Sequence, residues 1–138
     1  MKRSRTALIC AGIFGILGVA LGALAAHGLK ASLLARGTIA AWETGARYQM
    51  FHVVALLTAA VWLRGASPRV QVCIIWAVRC WAAGIVLFSG SLYWLALGGP
   101  RWLGPVTPFG GILLVLGWTL VLAAGFAKDG SEKTQAHD

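Results

Sequence analysis

The sequence predicts an all-α, polytopic membrane protein, a four-helix transmembrane bundle with a short interfacial segment between helices one and two. Of its 138 residues, 59% are hydrophobic and 12% are charged, and the mean hydropathy is +0.78, well above the value for a soluble domain. Before residue 128 the chain holds about four apolar stretches of the ~20 residues that cross a bilayer. Residues 1–127 are therefore interpreted as a single four-helix transmembrane domain, and residues 128–138 as a polar cytoplasmic tail.

The first span is predicted over residues 7–26, directly after a basic N-terminal segment. Its apolar run of about 20 residues is longer than the core of a typical signal peptide, so it is interpreted as a retained helix. Small residues recur at four-residue spacings, with Gly18 and Gly22 in one series and Gly15 in another. Such spacing lets membrane helices approach closely and indicates a packing face.

The interfacial segment is predicted at residues 28–37, because its leucines can face lipid while Lys30 and Arg36 face water. The second span follows over residues 39–63, with Thr38 as its expected N-cap. This span carries the polar groups of the stretch YQMFH within an otherwise apolar run.

The third span is predicted over residues 70–98, after a polar turn that contains Pro68. It includes Arg79, whose long side chain is expected to extend toward the interface. A loop rich in glycine and proline at residues 98–108 then leads to the fourth span at residues 109–127.

The distribution of Lys and Arg predicts the orientation in the membrane. An even number of spans places both termini on one side, and seven cations fall on that side against four on the other, with Arg79 counted in neither set. The positive-inside rule therefore predicts cytoplasmic termini. The seven are Lys2, Arg3, Arg5, Arg64, Arg69, Lys128 and Lys133, and the four are Lys30, Arg36, Arg47 and Arg101.

The net charge of +8 would suggest nucleic-acid binding in a soluble domain. Here the cations are scattered between apolar runs, which indicates orientation and contact with anionic lipid head groups instead. The predicted partner is the lipid bilayer, with a homo-oligomer or a larger membrane complex left open and no nucleic acid.

Motifs for metal binding and catalysis do not emerge from the sequence. Cys10, Cys73 and Cys80 form neither a CxxC pair nor a Cys/His spacing, so no disulfide framework, metal site or cofactor is predicted. The chain also has no HExxH, GxSxG or phosphate-binding loop. No catalytic residue is assigned, and the sequence favours a protein that is not an enzyme.

His52 falls near the middle of the second span, at a depth similar to that of Ser89 on the third. Both ring nitrogens of an intramembrane histidine need partners, so the ring is either fixed by its neighbours or placed in a polar cavity. Because Tyr48 lies one turn away on the same face, both side chains are expected to face the bundle interior. The expected hydrogen-bond partner of His52 is Ser89 or Tyr93 on the third span.

Four stretches carry a resemblance to a known family. They are GALAAHGL at residues 22–29, YQMFH at 48–52, LFSGSLY at 87–93 and TPFGG at 107–111. Together they resemble the YgdD-like family of small bacterial inner-membrane proteins, catalogued as domain of unknown function four-twenty-three, with relatives in mitochondria. The likeness follows all four predicted spans in order.

The resemblance implies a four-helix inner-membrane protein whose biochemical activity is not established. Leu24 and Ala25 differ from the Phe and Gly that the family tends to show before its Ala-His pair. The positions that match the family's motifs are His27, Gly28, Tyr48, Gln49, His52, Ser89, Gly90, Ser91, Tyr93, Thr107, Pro108, Gly110 and Gly111.

Two functions stay open at this point. The first is a non-enzymatic packing or accessory protein, and the second is a small-ligand or proton-handling protein with an intramembrane polar pocket around His52. The candidate ligand-binding residues are His27, Tyr48, Gln49, His52, Ser89, Ser91, Tyr93 and Thr107. The candidate helix-packing residues are Gly15, Gly18, Gly22, Gly90, Gly110 and Gly111.

Overall fold

The computed structural model describes residues 2–127, and within them the chain is helical and contains no strand. The predicted tail at residues 128–138 lies outside this range. The helices are α1 (Lys2–Ala26), α2 (Lys30–Ala35), α3 (Ile39–Trp62), α4 (Pro68–Ala96) and α5 (Val106–Phe126), with a short 3-10 turn at Arg101–Leu103 before α5.

Glycine and proline set the helix boundaries. Gly37 after α2 and Gly98 after α4 have φ angles of +66° and +89°, in the left-handed region that glycine adopts without steric cost. Pro68 opens α4, where the missing backbone N–H would be unpaired in any case. Thr38 holds the predicted N-cap position of α3, but its side chain makes no capping hydrogen bond. It donates instead to the Ala96 carbonyl at 2.9 Å, which links the start of α3 to the end of α4.

Three helical stretches in residues 2–127 are long and apolar enough to cross a membrane: Lys2–Ala26, Pro68–Ala96 and Arg101–Phe126. They correspond to the predicted first, third and fourth spans. The fourth long helix, α3, is not among them, because Glu43, Arg47, Gln49 and His52 lower its mean hydropathy.

Successive long helices pack in antiparallel pairs, α1 on α3, α3 on α4 and α4 on α5. The direction follows from paired contacts such as the hydrogen bonds from Ser4 to the Ala60 carbonyl and from Trp42 to the Leu21 carbonyl. Contacts between α1 and α4 are few, and those between α3 and α5 are fewer still. Two fissures therefore remain, one between α1 and α4 and one between α3 and α5.

The buried apolar residues form two clusters. The larger, which includes Leu56, Ile74 and Trp81, joins all four long helices toward the end that carries the N-terminus. In the smaller, Leu33 of α2 packs with Trp42 near the opposite end. Many large apolar side chains remain exposed on the outside of the helices, including Ile16, Val115 and Phe126, as expected of a surface that faces lipid.

The predicted packing glycines differ widely in their surroundings. A Cβ on Gly110 would contact the Phe88 backbone, and one on Gly18 would lie 2.6 Å from the Met50 Sδ atom. At Gly15 and Gly111 the nearest side-chain atoms are at ordinary van der Waals distance, 3.5 and 3.7 Å. A Cβ on Gly22 or Gly90 would have no neighbour within 4 Å among the described residues, so a packing role there stays a prediction.

Close approach also occurs at glycines outside the predicted packing set. Gly45 of α3 lies against Tyr93, and Gly84 of α4 lies against Leu114. On α5, a Cβ on Gly117 would contact the indole of Trp81. These glycines lie outside the four recognised stretches, and a glycine in an apolar run does not by itself reveal which helix it meets.

Candidate functional site

The polar residues of YQMFH divide between two sides of α3. Gln49 faces α1 and α4, whereas His52 faces α5. Tyr48, which was expected to face the interior together with His52, is 44% exposed, so that prediction is wrong for Tyr48. Its ring contacts Phe88 at the edge of the fissure between α3 and α5. Because that fissure stays open, one of two residues on the same helical face is covered and the other is not.

Gln49 links three helices through one buried amide. The side chain is 3% exposed, its Nε2 donates to the Phe14 carbonyl of α1 at 2.7 Å, and its Oε1 accepts from the Tyr93 hydroxyl of α4 at 2.9 Å. Both ends of the amide are therefore hydrogen-bonded within the chain.

His52 has a partner at each ring nitrogen. Nδ1 lies 2.7 Å from the Tyr48 carbonyl, and Nε2 accepts from the Trp118 indole N–H of α5 at 3.1 Å. A carbonyl can only accept and an indole N–H can only donate, so this geometry fits the neutral ring with its proton on Nδ1. The expected partners Ser89 and Tyr93 were wrong, because α5 and not α4 supplies the hydrogen-bonding group on this side of α3.

The other candidate residues lie apart from His52. Ser91 donates to the Phe88 carbonyl at 3.0 Å, and its Oγ lies 2.8 Å from Thr107 Oγ1, which links α4 to the start of α5. Ser89 is 1% exposed, and its Oγ has no partner among residues 2–127. His27 is exposed just past the end of α1.

A groove between α3 and α5, called here the α3–α5 groove, encloses a volume of about 810 Å³. Tyr48, His52, Trp81 and Trp118 line it, and among residues 2–127 Arg47 is the one charged residue on its wall. Gln49, Ser89, Ser91 and Tyr93 do not line it. The structure therefore divides the predicted polar pocket among the groove, the Gln49–Tyr93 pair and the Ser91–Thr107 pair, and leaves Ser89 and His27 outside all three.

Trp81 and Trp118 were not predicted as site residues. Their rings contact each other with centroids 4.9 Å apart, and both approach His52 edge-on. Tryptophan in membrane proteins is enriched at the two interfaces, whereas Trp118 lies midway along α5. An indole N–H at that depth needs a hydrogen-bond partner. This requirement was the feature of the sequence that could have indicated Trp118 as a site residue.

The groove has the chemistry of an apolar binding surface. Its walls are mainly aromatic and aliphatic, its histidine is already hydrogen-bonded at both nitrogens, and the cation of Arg47 is exposed. Such a surface suits an apolar or amphiphilic molecule.

Comparisons with known proteins agree with the family resemblance. The model of the family described as "Protein of unknown function (DUF423)" matches residues 21–111. The chain is 44% identical over 121 residues to the UPF0382 inner membrane protein YgdD of Escherichia coli strain K12, covering 86% of this chain and 88% of that protein.

Relatives in Staphylococcus match over a similar length. A UPF0382 membrane protein of Staphylococcus aureus is 36% identical over 119 residues, covering 86% of this chain and 93% of the relative. One from Staphylococcus epidermidis is 37% identical over 117 residues, covering 85% and 92%. No solved structure matches the chain.

The predicted resemblance is thus confirmed, and with it the description as a membrane protein. The chain belongs to the DUF423 family, whose bacterial relatives include the UPF0382 inner membrane proteins.

Proposed function

We propose that the protein is a non-enzymatic accessory protein of the bacterial inner membrane. In this proposal residues 1–127 form a single four-helix transmembrane domain, both termini and the polar tail at 128–138 are cytoplasmic, and the protein works by binding another membrane component. The observation that carries the proposal is that Gln49 and His52, the most chemically versatile buried groups, are occupied by hydrogen bonds to other helices.

A transmembrane position for α3 is supported by where its polar groups lie. Polar groups within the hydrocarbon must be satisfied inside the protein, and Gln49 and His52 meet that condition. The hydrogen bonds of Trp42 and Ser4 hold α3 antiparallel to α1 near both of its ends. Glu43 and Arg47 are exposed in its first turns, where the interface would lie. A helix can cross in this way with a hydropathy below that of its neighbours.

An accessory role is supported by what remains on the outside of the helices. The exposed surface is rich in large apolar side chains. Gln49 and His52 use their polar groups inside the protein, where each hydrogen bond between membrane helices stabilises the fold by about 0.6 kcal/mol on average. A small protein that uses its polar groups to hold its own helices together keeps its outer face for lipid and for partner proteins.

The test is purification of the full-length protein from its native membrane in a mild detergent, followed by identification of what stays bound. We expect a membrane protein in stoichiometric amount, absent when a tagged, unrelated small membrane protein is purified identically. Recovery of the protein alone, or with a small molecule and no protein partner, would contradict the accessory role.

A small-ligand or proton-handling role is the second candidate, and the α3–α5 groove favours it because His52 and Tyr48 both line a volume of about 810 Å³. If this hypothesis is correct, mass spectrometry of the purified protein finds a bound small molecule. The variant Trp118→Ala, which removes part of the groove wall, no longer binds that molecule. Leu24→Ala, an exposed change on α1 outside the groove, keeps it. If neither the unmodified protein nor Leu24→Ala retains a small molecule, ligand binding in the groove is contradicted.

A further inference from the structure

Two cavities open at the end of the protein that carries the N-terminus, and they share Arg3 and Leu63 on their walls. The wider, of about 800 Å³, lies beside the start of α1 and the end of α3. The narrower, of about 270 Å³, lies in the fissure between α1 and α4. The cations on their combined walls are Lys2, Arg3, Arg5, Arg64 and Arg79.

These five cations have no acidic neighbour in the described part of the chain. Glu43 is the sole carboxylate side chain within residues 2–127. It lies 20 positions before Leu63, or about 30 Å along a helix. Like charges on the walls of two adjoining cavities repel one another, and a bound anion would relieve that repulsion. The N-termini of α1 and α4 lie at the same end and add positive partial charge.

The narrower cavity combines two guanidinium groups with apolar walls. Arg3 and Arg79 supply the charge, while Val72, Ile75 and Val78 form much of the wall. The Arg79 guanidinium lies over the Trp76 ring, 4.7 Å from its centroid. Trp76 is three residues closer to the start of α4, so this contact turns the Arg79 side chain toward Arg3 and the interface.

We propose that this end of the protein binds one anionic phospholipid, with a phosphate between Arg3 and Arg79 and an acyl chain along the Val72 and Ile75 wall. Guanidinium groups bind phosphate oxygens through paired, charge-assisted hydrogen bonds, and basic pockets between membrane helices are typical sites for such head groups. A free phosphate would use the cations but leave the apolar wall unused. The site is independent of the accessory role, and only its assignment to the cytoplasmic leaflet rests on the proposed orientation.

The experiment is a lipid titration of the full-length protein in a mild detergent, followed by native mass spectrometry. Phosphatidylglycerol and phosphatidylcholine with the same acyl chains are the probes. We expect one phosphatidylglycerol to be retained, and the double variant Arg3→Gln/Arg79→Gln to bind it at least about tenfold more weakly. Arg36→Gln/Arg101→Gln removes the same charge at the opposite end and should leave the affinity unchanged.

Three results of this titration would overturn the proposal. The first is equal retention of the two lipids, and the second is an equal loss in both double variants, which would indicate a general effect of net charge. The third is displacement of the lipid by inorganic phosphate at the same concentration, which would assign the cations to a free anion.

A variant that keeps the charge tests the proposal if the double variant does not fold. If circular dichroism shows that Arg3→Gln/Arg79→Gln is unfolded, Arg79→Lys replaces it, with Arg36→Lys as its control. Lysine lacks the planar pair of donors, so Arg79→Lys should weaken phosphatidylglycerol binding severalfold while Arg36→Lys does not. Identical affinities in these two variants would also overturn the proposal.

Discussion

Trp118 of α5 donates a hydrogen bond to Nε2 of His52 on α3 across 3.1 Å, and within residues 2–127 it is the one side-chain hydrogen bond that joins these two helices. The helices otherwise have few contacts. The bond therefore joins two walls of the α3–α5 groove. His52 acts in this arrangement as a link between helices.

Removing the His52 ring should loosen α5 from α3. We expect His52→Leu to lower the free energy of unfolding by about 1 kcal/mol, since it leaves the Trp118 indole without an acceptor. In a Trp118→Phe background the same change should have a smaller effect, because the pair is already broken. Thermal unfolding in detergent measures both.

Thr119→Val is the matched control for this series. Thr119 lies on α5 next to Trp118 and is exposed, and its one side-chain hydrogen bond within residues 2–127 goes to the Val115 carbonyl of its own helix. Loss of its hydroxyl should therefore change stability little. Purely additive effects of the His52 and Trp118 substitutions would show that the two side chains do not interact.

Gln49 should contribute more than His52 to the free energy of unfolding, because its amide forms hydrogen bonds to two other helices. Gln49→Leu leaves both the Phe14 carbonyl and the Tyr93 hydroxyl without their partner, and we expect a loss of about 1–3 kcal/mol. Tyr93→Phe should cost less, since Gln49 keeps its bond to Phe14. The double variant should be less destabilised than the sum of the two. A Gln49→Leu variant with an unchanged unfolding temperature would exclude this role.

The lengths of the apolar runs were enough to predict the long helices. Runs of about 20 apolar residues between basic or glycine-containing breaks imply membrane helices, and α1, α4 and α5 follow them closely. The sequence interpretation was least complete at α3, because hydropathy alone does not show whether Gln49 and His52 find partners on neighbouring helices.

The candidate site could be predicted only in part. Helical period places Tyr48 and His52 on one face, but it does not reveal which neighbour covers that face, and their exposed fractions are 44% and 5%. Gln49 binds the backbone carbonyl of Phe14, and the type of a residue does not indicate which backbone carbonyl is available as an acceptor. Trp118 lies 66 residues beyond His52, so their contact depends on how α4 and α5 pack.

Gly110 and Gly90 offer a matched test of the packing glycines. A methyl group at Gly110 would press on the Phe88 backbone, with Phe88 Cα at 2.7 Å, whereas one at Gly90 would meet no described atom within 4 Å. We expect Gly110→Ala to destabilise the protein by about 1–3 kcal/mol. Gly90→Ala should be neutral or stabilising by up to about 1 kcal/mol, because alanine favours the helix.

Thermal unfolding in detergent distinguishes these two variants. Equal destabilisation of both would indicate that Gly90 packs against a second molecule. An unchanged unfolding temperature for Gly110→Ala would contradict the close approach of α4 and α5.

Membrane topology tests most directly whether α3 crosses the bilayer as a fourth span. Reporters that distinguish cytoplasm from periplasm are fused before residue 1, after Asp138 and, separately, at Arg101. With four spans and the bias of Lys and Arg toward the terminal side, both termini should be cytoplasmic and Arg101 periplasmic. If only α1, α4 and α5 cross, the two termini fall on opposite sides of the membrane, and that result would contradict the four-helix transmembrane domain.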